Sequence, residues 1–263
     1  MKISGEILHA RLNCAVVSTT YSGEQSEHEW SDAIAGALNL WIGLLASWLE
    51  VLCGIDAREE EKQPHLTPWR VHTLPLAVDE AGRHRWFGGM TRGPVIVGID
   101  GSTVLAEDWS VCVDLITRDC DVPVEARILA DARAASRRRH YRRAVIDAAT
   151  ACEVALSARI RESFRSAGAS EAAVTQALKN STGIQHLYDL HALLGVVPSA
   201  SRGEVLDVVA RHRNDAAHGG RSPSAQETNR SIDVATRLVN DVSPVLNSVL
   251  DGRPIWPLNR AIK

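Results

Sequence analysis

From Pro123 onward, the apolar residues of this chain repeat at steps of three and four, the period of a helix buried on one face. The stripes are Val124, Ile128, Ala132 and Ala135; then Val145, Ala149, Cys152, Leu156, Ile160 and Phe164; then Ile184, Leu187, Tyr188, His191 and Leu194. Helices with one apolar stripe must pack on one another. The pattern predicts a bundle of about five helices over residues 123–250.

Two helix starts are marked in the sequence of this second half. Ser201–Glu204 and Ser224–Glu227 both match the Ser-x-x-Glu capping box, and apolar positions follow each one. Pro244 should kink or break the last helix, because proline removes a backbone donor and crowds the preceding turn. The tail, residues 251–263, contains two prolines and is predicted to be irregular.

The sequence pattern of residues 1–122 is different. It predicts an α+β domain, in which one long helix packs on an antiparallel sheet. The helix is predicted from about Glu29 to Cys53. Its apolar stripe comprises Ile34, Leu38, Trp41, Leu45, Trp48 and Leu52. Small and polar residues mark the opposite side, which favours a core helix over a membrane span.

Short apolar runs separated by turn residues predict the strands of that sheet. They are residues 1–20 as a hairpin, Val71–Val78, Arg85–Phe87, Val95–Ile99, Thr103–Leu105 and Ser110–Ile116. Asp100-Gly101 lies between two of these runs and fits a two-residue hairpin turn.

Charge is distributed unevenly along the chain. Residues 123–263 contain 20 lysines and arginines against 14 aspartates and glutamates, whereas residues 1–122 contain 9 against 18. The basic half can meet a polyanion, or the acidic half can neutralise it within the molecule. The five cysteines form no C-x-x-C pair, so no disulfide framework, metal site or cofactor is predicted. A charge follows the first methionine too soon for a signal peptide, and we expect a cytoplasmic protein.

One segment carries the most specific chemical suggestion: Arg213-Asn214-Asp215-Ala216-Ala217-His218, followed by Gly219-Gly220. It pairs a permanent cation with a group that titrates near neutrality. On an ideal helix, Arg213 and His218 would lie about 140° apart, whereas Asn214 and His218 would share a face. Either the helix breaks after Arg213, or a second copy of the motif completes the site.

This segment resembles the R-x(4–6)-H motif of HEPN domains, in which a polar residue often follows the arginine. Tyr141–Glu153 is similar to an early helix of bacterial HEPN proteins of the abortive-infection, ApeA-like type. The resemblance covers roughly residues 123–250 and implies a HEPN-like helical bundle. Gly220 occupies the position of a tyrosine found in HEPN toxins that are paired with nucleotidyltransferase antitoxins, so control by modification of that tyrosine is not expected.

The resemblance implies a metal-independent endoribonuclease that works as a homodimer. It also implies that the protein is a toxin or phage-defence effector, whose trigger or antitoxin is unidentified. His218 would be the general acid or base, Arg213 would hold the phosphate, and Asn214 would orient either group. The alternative is that this segment is an ordinary helix C-terminus, where the helix dipole favours a histidine and the arginine is solvated.

Further residues are candidates for supporting roles. Glu153 lies beside an apolar stripe and is a candidate partner of Arg213, and Arg211 satisfies the looser spacing to His218 and can pair with Asp215. The candidate RNA-binding residues are Arg137, Arg138, Arg139, Arg142 and Arg143. A solvated turn between helices explains that basic run equally well.

Two rival interpretations remain open. The helical half can be a non-catalytic binding or dimerisation module, or a helical pair that binds a peptide. In the nuclease interpretation, the acidic first half is a sensor, a specificity module or an inhibitor that covers the basic surface.

Overall fold

The computed structural model describes residues 40–54 without 42, 76–78, 84–86, 106–250 without 196, and 255. Helix α1 spans residues 40–53. The elements that follow are β1 Leu76–Val78, β2 His84–Trp86, α2 Ala106–Thr117, α3 Val124–Arg137, α4 Tyr141–Ser166, α5 Glu171–Asn180, α6 Ile184–Ala192, α7 Arg202–Glu204, the π-helical segment π1 Val205–Ala210, α8 Arg211–Ala217, α9 Ala225–Val242 and α10 Pro244–Val249. The backbone stays helical from α7 through π1 to α8, which together form one rod.

Helix α4 is the centre of the described bundle. It has 26 residues and packs against α3, α6, α8 and α9. Alanines occupy much of its buried surface, including Ala144, Ala148, Ala151 and Ala155. Their small side chains let the neighbouring helices approach the α4 backbone on several sides. The helix therefore holds both the turn at its start and the motif helix α8 in place.

The predicted stripes of α4 and α6 are confirmed. Their members are buried except Phe164 and Leu194, which are partly buried and pack against the core. The stripe of α3 was wrong at its first position, because Val124 is 62% exposed. The predicted Ala132 and Ala135 are buried and Ile128 packs against the core, while Ala126, Leu129 and Ala130 extend the buried face. Helix α5 was not predicted, since it buries only Val174 and has no stripe to recognise.

Both predicted capping boxes are present. The Ser201 and Ser224 hydroxyls accept from the backbone of Glu204 and Glu227, and each glutamate accepts from the serine backbone. The predicted break at Pro244 is also confirmed. Ser243 caps α10 there.

Among the described residues of the first half, the predicted antiparallel sheet is not seen: they are mainly helical and contain one short strand pair. The predicted strand Ser110–Ile116 lies inside helix α2. Its buried residues Cys112, Leu115 and Ile116 follow the helical spacing i, i+3, i+4. The run contains two valines and an isoleucine and so has strand propensity, but packing against the bundle selects the helix.

The only β structure in the described part of the chain is a three-residue antiparallel pairing of β1 with β2, with Ala77 opposite Arg85. These strands fall within or beside the predicted runs 71–78 and 85–87. The predicted hairpin of residues 1–20, the runs 95–99 and 103–105, and the turn at Asp100-Gly101 lie outside the described residues.

Helix α1 packs on helices, where a sheet was predicted. Its residues Leu45, Trp48 and Leu52 lie in the same hydrophobic cluster as residues of α2, α3 and α4, as the predicted stripe requires, and Trp41 is partly buried against it. Ile34 and Leu38, the first two members of that stripe, lie outside the described residues. The Trp48 indole Nε1–H donates to the Cys120 carbonyl oxygen at 2.8 Å. None of the described helices is both long and apolar enough to cross a membrane.

Residues on both sides of the predicted boundary at 122/123 share this core. Val122 itself is 4% exposed, and Ile255, in the predicted tail, is fully buried. The division into units 1–122, 123–250 and 251–263 stays a prediction. What the structure adds is that residues 40–54 and 106–122 cover apolar surface of the bundle.

Candidate functional site: the motif helix and a basic cleft

The helix does not break after Arg213. Helix α8 continues to Ala217, and the His218 N–H donates to the Asn214 carbonyl oxygen at 2.9 Å. Of the two alternatives drawn from the sequence, a helix break after Arg213 is therefore excluded, and completion of the site by a second copy of the motif is left. Helical geometry places the Arg213 and His218 side chains about 140° apart around the axis.

The glycines after His218 end the helix tightly. A Cβ on Gly219 would lie 2.9 Å from the Asp215 carbonyl oxygen, closer than a side chain tolerates. Gly220 has a φ of 65°, a left-handed conformation that favours glycine. Both glycines are thus required by the backbone turn, which leads the chain from α8 toward α9.

Burial divides α8 into an inner and an outer side. His212 and Ala216 are buried, whereas Asn214 and His218 are exposed. Arg213 is half-buried at the flank, and its Nη1 donates to the Asn214 side-chain oxygen at 3.1 Å. Asn214 thus contacts Arg213 and shares the outer face with His218, as its position at i−4 requires.

His212, which the sequence analysis did not select, anchors the motif. Its Nδ1 lies 2.8 Å from the Ser231 hydroxyl oxygen on α9. The Ser231 hydroxyl, which also lies 3.0 Å from the Glu227 carbonyl oxygen and 3.3 Å from the Val208 carbonyl oxygen, forms a hydrogen bond with this ring nitrogen. This bond fixes α8 on α9 directly beside Arg213. Apart from its position next to the arginine, nothing in the sequence marks this role.

Acidification should reduce the stability of the protein, because burial lowers the pKa of His191 and of His212 below the ordinary 6.5. His191 is fully buried, and neither ring nitrogen has a hydrogen-bond partner among the described residues. Near about pH 6, the unfolded chain binds more protons than the folded one, so the free energy of unfolding falls as pH drops from about 7 to 5. Urea unfolding at several pH values measures this slope.

A variant with His191→Leu and His212→Leu should lose most of that pH dependence, whereas His186→Leu, at an exposed position of α6, should keep it. An unchanged slope in the double variant would show that other groups cause the acid sensitivity.

The two supporting candidates are not joined to the motif. No hydrogen bond or ion pair links Glu153, which is half-buried on α4, to Arg213 within the described ranges. Arg211 is exposed. The expected ion pair between Arg211 and Asp215 is not present in the described part of the chain. Asp215 lies 3.8 Å from Arg221 instead.

The loop from Gly219 to Ser224 is held by ion pairs at the start of α9. Arg221 lies 2.6 Å from Glu227, which also accepts from the Ser224 backbone and hydroxyl. These bonds to Ser224 and the nearby Arg221 lower the pKa of Glu227 to about 2. The carboxylate is therefore ionised at neutral pH and keeps the loop attached to α9.

The basic run and this loop meet at one open cleft of about 400 Å³. Its walls are Arg139, His140, Tyr141, Arg142, Arg143, Ile146 and Ser222. Ser222 lies four residues after His218, so the cleft connects the α3–α4 turn to the loop that leaves the motif. His140, Tyr141, Ile146 and Ser222 were not selected from the sequence, since only folding brings residue 222 beside residues 139–146.

The five arginines of the basic run divide into two groups. Arg139, Arg142 and Arg143 line the cleft, where Arg143 also pairs with Asp147 at 3.2 Å. Arg137 and Arg138 do not line it. Arg137 donates to the Gly54 carbonyl oxygen at 3.1 Å, which ties the end of α3 to the end of α1.

Arg139 occupies a backbone position that normally belongs to glycine. Its φ is 60°, its N–H donates to the Ser136 carbonyl, and the His140 N–H donates to the Ala135 carbonyl. These are the two bonds of a Schellman turn, with Arg139 at the left-handed position. A side chain there is unfavourable. The turn thus places an arginine side chain in the cleft at some cost in stability.

Arg139→Gly should stabilise the protein by about 0.5–1 kcal/mol, because it relieves the left-handed conformation. Arg142→Gly removes a cation from the same cleft but sits inside helix α4, so it should destabilise by about 1 kcal/mol. Urea unfolding of the two variants measures both effects. A loss of stability in Arg139→Gly would mean that the arginine makes contacts that outweigh the strain.

Within the described ranges, no three His, Cys, Asp or Glu side chains come together as a metal site requires. No protein-family model, curated protein or solved structure matches this chain.

Proposed function

We propose that this chain is a metal-independent endoribonuclease of the HEPN type whose active site is completed by a second copy of the chain. The observation that carries the proposal is the cleft that joins Arg139 of the α3–α4 turn, and Arg142 and Arg143 at the start of α4, to the loop after His218. Arginine-lined clefts suit phosphodiesters, because guanidinium groups bind phosphate oxygens with two parallel hydrogen bonds. The setting that we propose is a cytoplasmic toxin or defence effector.

His218 is suited to proton transfer in this proposal. It is exposed at the end of α8, where a substrate can reach it, and imidazole is a common general acid and base. As general base it would take the proton of the RNA 2′-hydroxyl, and as general acid it would protonate the leaving 5′-oxygen. The attack of the 2′-oxygen on phosphorus leaves a 2′,3′-cyclic phosphate.

Arg213 would neutralise the charge that accumulates on the phosphate oxygens during that attack. Asn214 is in place to orient it, since its side-chain oxygen accepts from Arg213 Nη1. Because Arg213 and His218 lie on different sides of one helix, the arginine of one protomer would act with the histidine of its partner.

The test is an assay on the purified full chain in EDTA with a labelled RNA. Products that end in 2′,3′-cyclic phosphate, formed at a rate proportional to protein and lost in Arg213→Ala and His218→Ala, support the proposal. Equal cleavage by the three proteins would indicate contamination or another site.

The second candidate is a non-catalytic module that binds RNA or a second copy of the chain. The separation of Arg213 from His218 within one protomer favours it. This module would bind RNA without cleaving it, and binding would survive in a folded His218→Ala variant.

A further inference from the structure

The cleft at the α3–α4 turn has walls of two kinds. Arg139 and Arg142 are exposed cations, whereas Tyr141 and Ile146 are partly exposed and supply apolar surface. The cleft measures about 400 Å³ and is open to solvent, so a ligand in it would keep one side exposed. Cations beside an aromatic ring match a ligand that has both anionic and flat apolar parts.

Arg139 has an unusual backbone for a residue with a side chain: among the described non-glycine residues, only Asp119, at the end of α2, shares its left-handed conformation. Arg139 holds a φ of 60° in a turn that glycine would form without strain. Residues in such conformations concentrate at ligand sites, where another demand outweighs stability. The strained residue and its cation lie in the wall of the cleft, on the side that begins α4.

We infer that this cleft is a subsite for one unpaired nucleotide of RNA, with its base on the ring of Tyr141 and the flanking phosphates on Arg139 and Arg142. A nucleotide has both parts that the walls match: an anionic phosphate and a flat base. Bases inside a duplex are stacked on their neighbours and cannot present a face to tyrosine, so the bound nucleotide is single-stranded. The inference rests on the proposed function for the choice of RNA as ligand.

Ser222 connects this subsite to the motif. It is in the cleft wall and follows His218 by four residues, in the loop that Arg221 and Glu227 attach to α9. A nucleotide held in the cleft would therefore position the neighbouring part of the strand along the outer side of α8.

The test uses the full chain with His218→Ala, which leaves RNA intact, and fluorescence anisotropy with labelled decauridylate in EDTA. Adding Tyr141→Leu should weaken binding about 5- to 100-fold, since stacking on one aromatic ring contributes that much. Tyr141→Phe keeps the ring and should bind within about twofold. Binding of a ten-base-pair RNA duplex should not change with either substitution.

The arginines have a matched control on the same helix. Arg142→Gln should reduce the slope of log affinity against log salt by about one. Arg161→Gln should not, because Arg161 is exposed on α4 about 30 Å from Tyr141 along the axis.

Three results would overturn the inference. Tyr141→Leu could bind decauridylate as tightly as before, or it could lose as much affinity for the duplex as for decauridylate. Alternatively, an equal concentration of uridine monophosphate could displace decauridylate, which would assign the cleft to a free nucleotide. Failure of the proposed function is a separate result. If the unmodified chain does not cleave RNA but binds it in a Tyr141-dependent way, the subsite stands and the nuclease does not. If cleavage needs Arg213 and His218 but Tyr141→Leu binds normally, the nuclease stands and the subsite does not.

Discussion

A mixture of Arg213→Ala and His218→Ala protein should cleave RNA, although each variant alone should be nearly inactive. Removal of the histidine eliminates acid–base catalysis, which contributes about 10²–10⁴-fold, and loss of the arginine removes stabilisation of transition-state charge, often about 10²–10³-fold. Helix α8 is unbroken, so the two side chains point about 140° apart within a protomer. A mixed dimer would still offer one arginine and one histidine across the interface.

The measurement is the initial rate of RNA cleavage in EDTA after the two variants exchange subunits. With random assortment about half of the dimers are mixed, so recovery should be a sizeable fraction of the unmodified rate. A mixture of His218→Ala with a His218→Ala, Arg161→Gln double variant is the matched control and should stay inactive. If the first mixture also stays inactive after exchange is demonstrated, the composite site is wrong, and a site within one protomer or no site at all remains.

Trp48→Ala should destabilise the whole described bundle by about 3–5 kcal/mol, the range for a large buried side chain replaced by alanine. Trp48 is fully buried in the cluster that contains α2, α3 and α4, and its indole N–H donates to the Cys120 carbonyl at 2.8 Å. The substitution leaves a cavity and removes the donor of that carbonyl. Urea unfolding, followed by the helical circular dichroism signal, measures the change.

Two further variants show how much of the destabilisation comes from the cavity, from the hydrogen bond, and from a substitution in α1 as such. Trp48→Phe keeps most of the volume and loses the hydrogen bond, so it should cost about 1–3 kcal/mol. Leu40→Ala, at a position of α1 that is 78% exposed, should change stability by less than about 0.5 kcal/mol. An unfolding transition of α1 that is separate from that of α4 would contradict a shared core.

The Trp48 result also bears on experiments with fragments. A fragment of residues 123–263 would lose α1 and α2, whose buried residues belong to the same hydrophobic cluster as the bundle, and would expose apolar surface. Its activity would therefore report on stability as well as on any inhibition by the first half. Point variants of the full chain are the cleaner test of the acidic half as an inhibitor.

Long periodic segments were predicted well from the sequence. The stripe of α4, from Val145 to Ile160, is buried as its spacing indicated, because a repeat over about four turns matches only a helix. Ser201 and Ser224 marked helix starts correctly, since a capping box uses residues three apart and needs no distant partner.

Short apolar segments were predicted poorly. Ser110–Ile116 fits a strand by propensity and a helix by spacing, and its seven residues cannot decide between them. Packing of Cys112 and Leu115 against the bundle decides for the helix. The α+β expectation for the first half depended on such runs and was wrong for the part of it that the structure describes.

The sequence by itself determined the helices of the second half, their caps and the Arg213–His218 segment, because these depend on residues within a few turns of one another. Only the tertiary structure decided that α8 continues past Arg213, that His212 binds Ser231, and that Ser222 joins Arg139 and Tyr141 in one cleft. The last two are contacts between residues about 20 to 80 positions apart. Local spacing contains no information on them, since they arise when separate helices bury their apolar faces against α4.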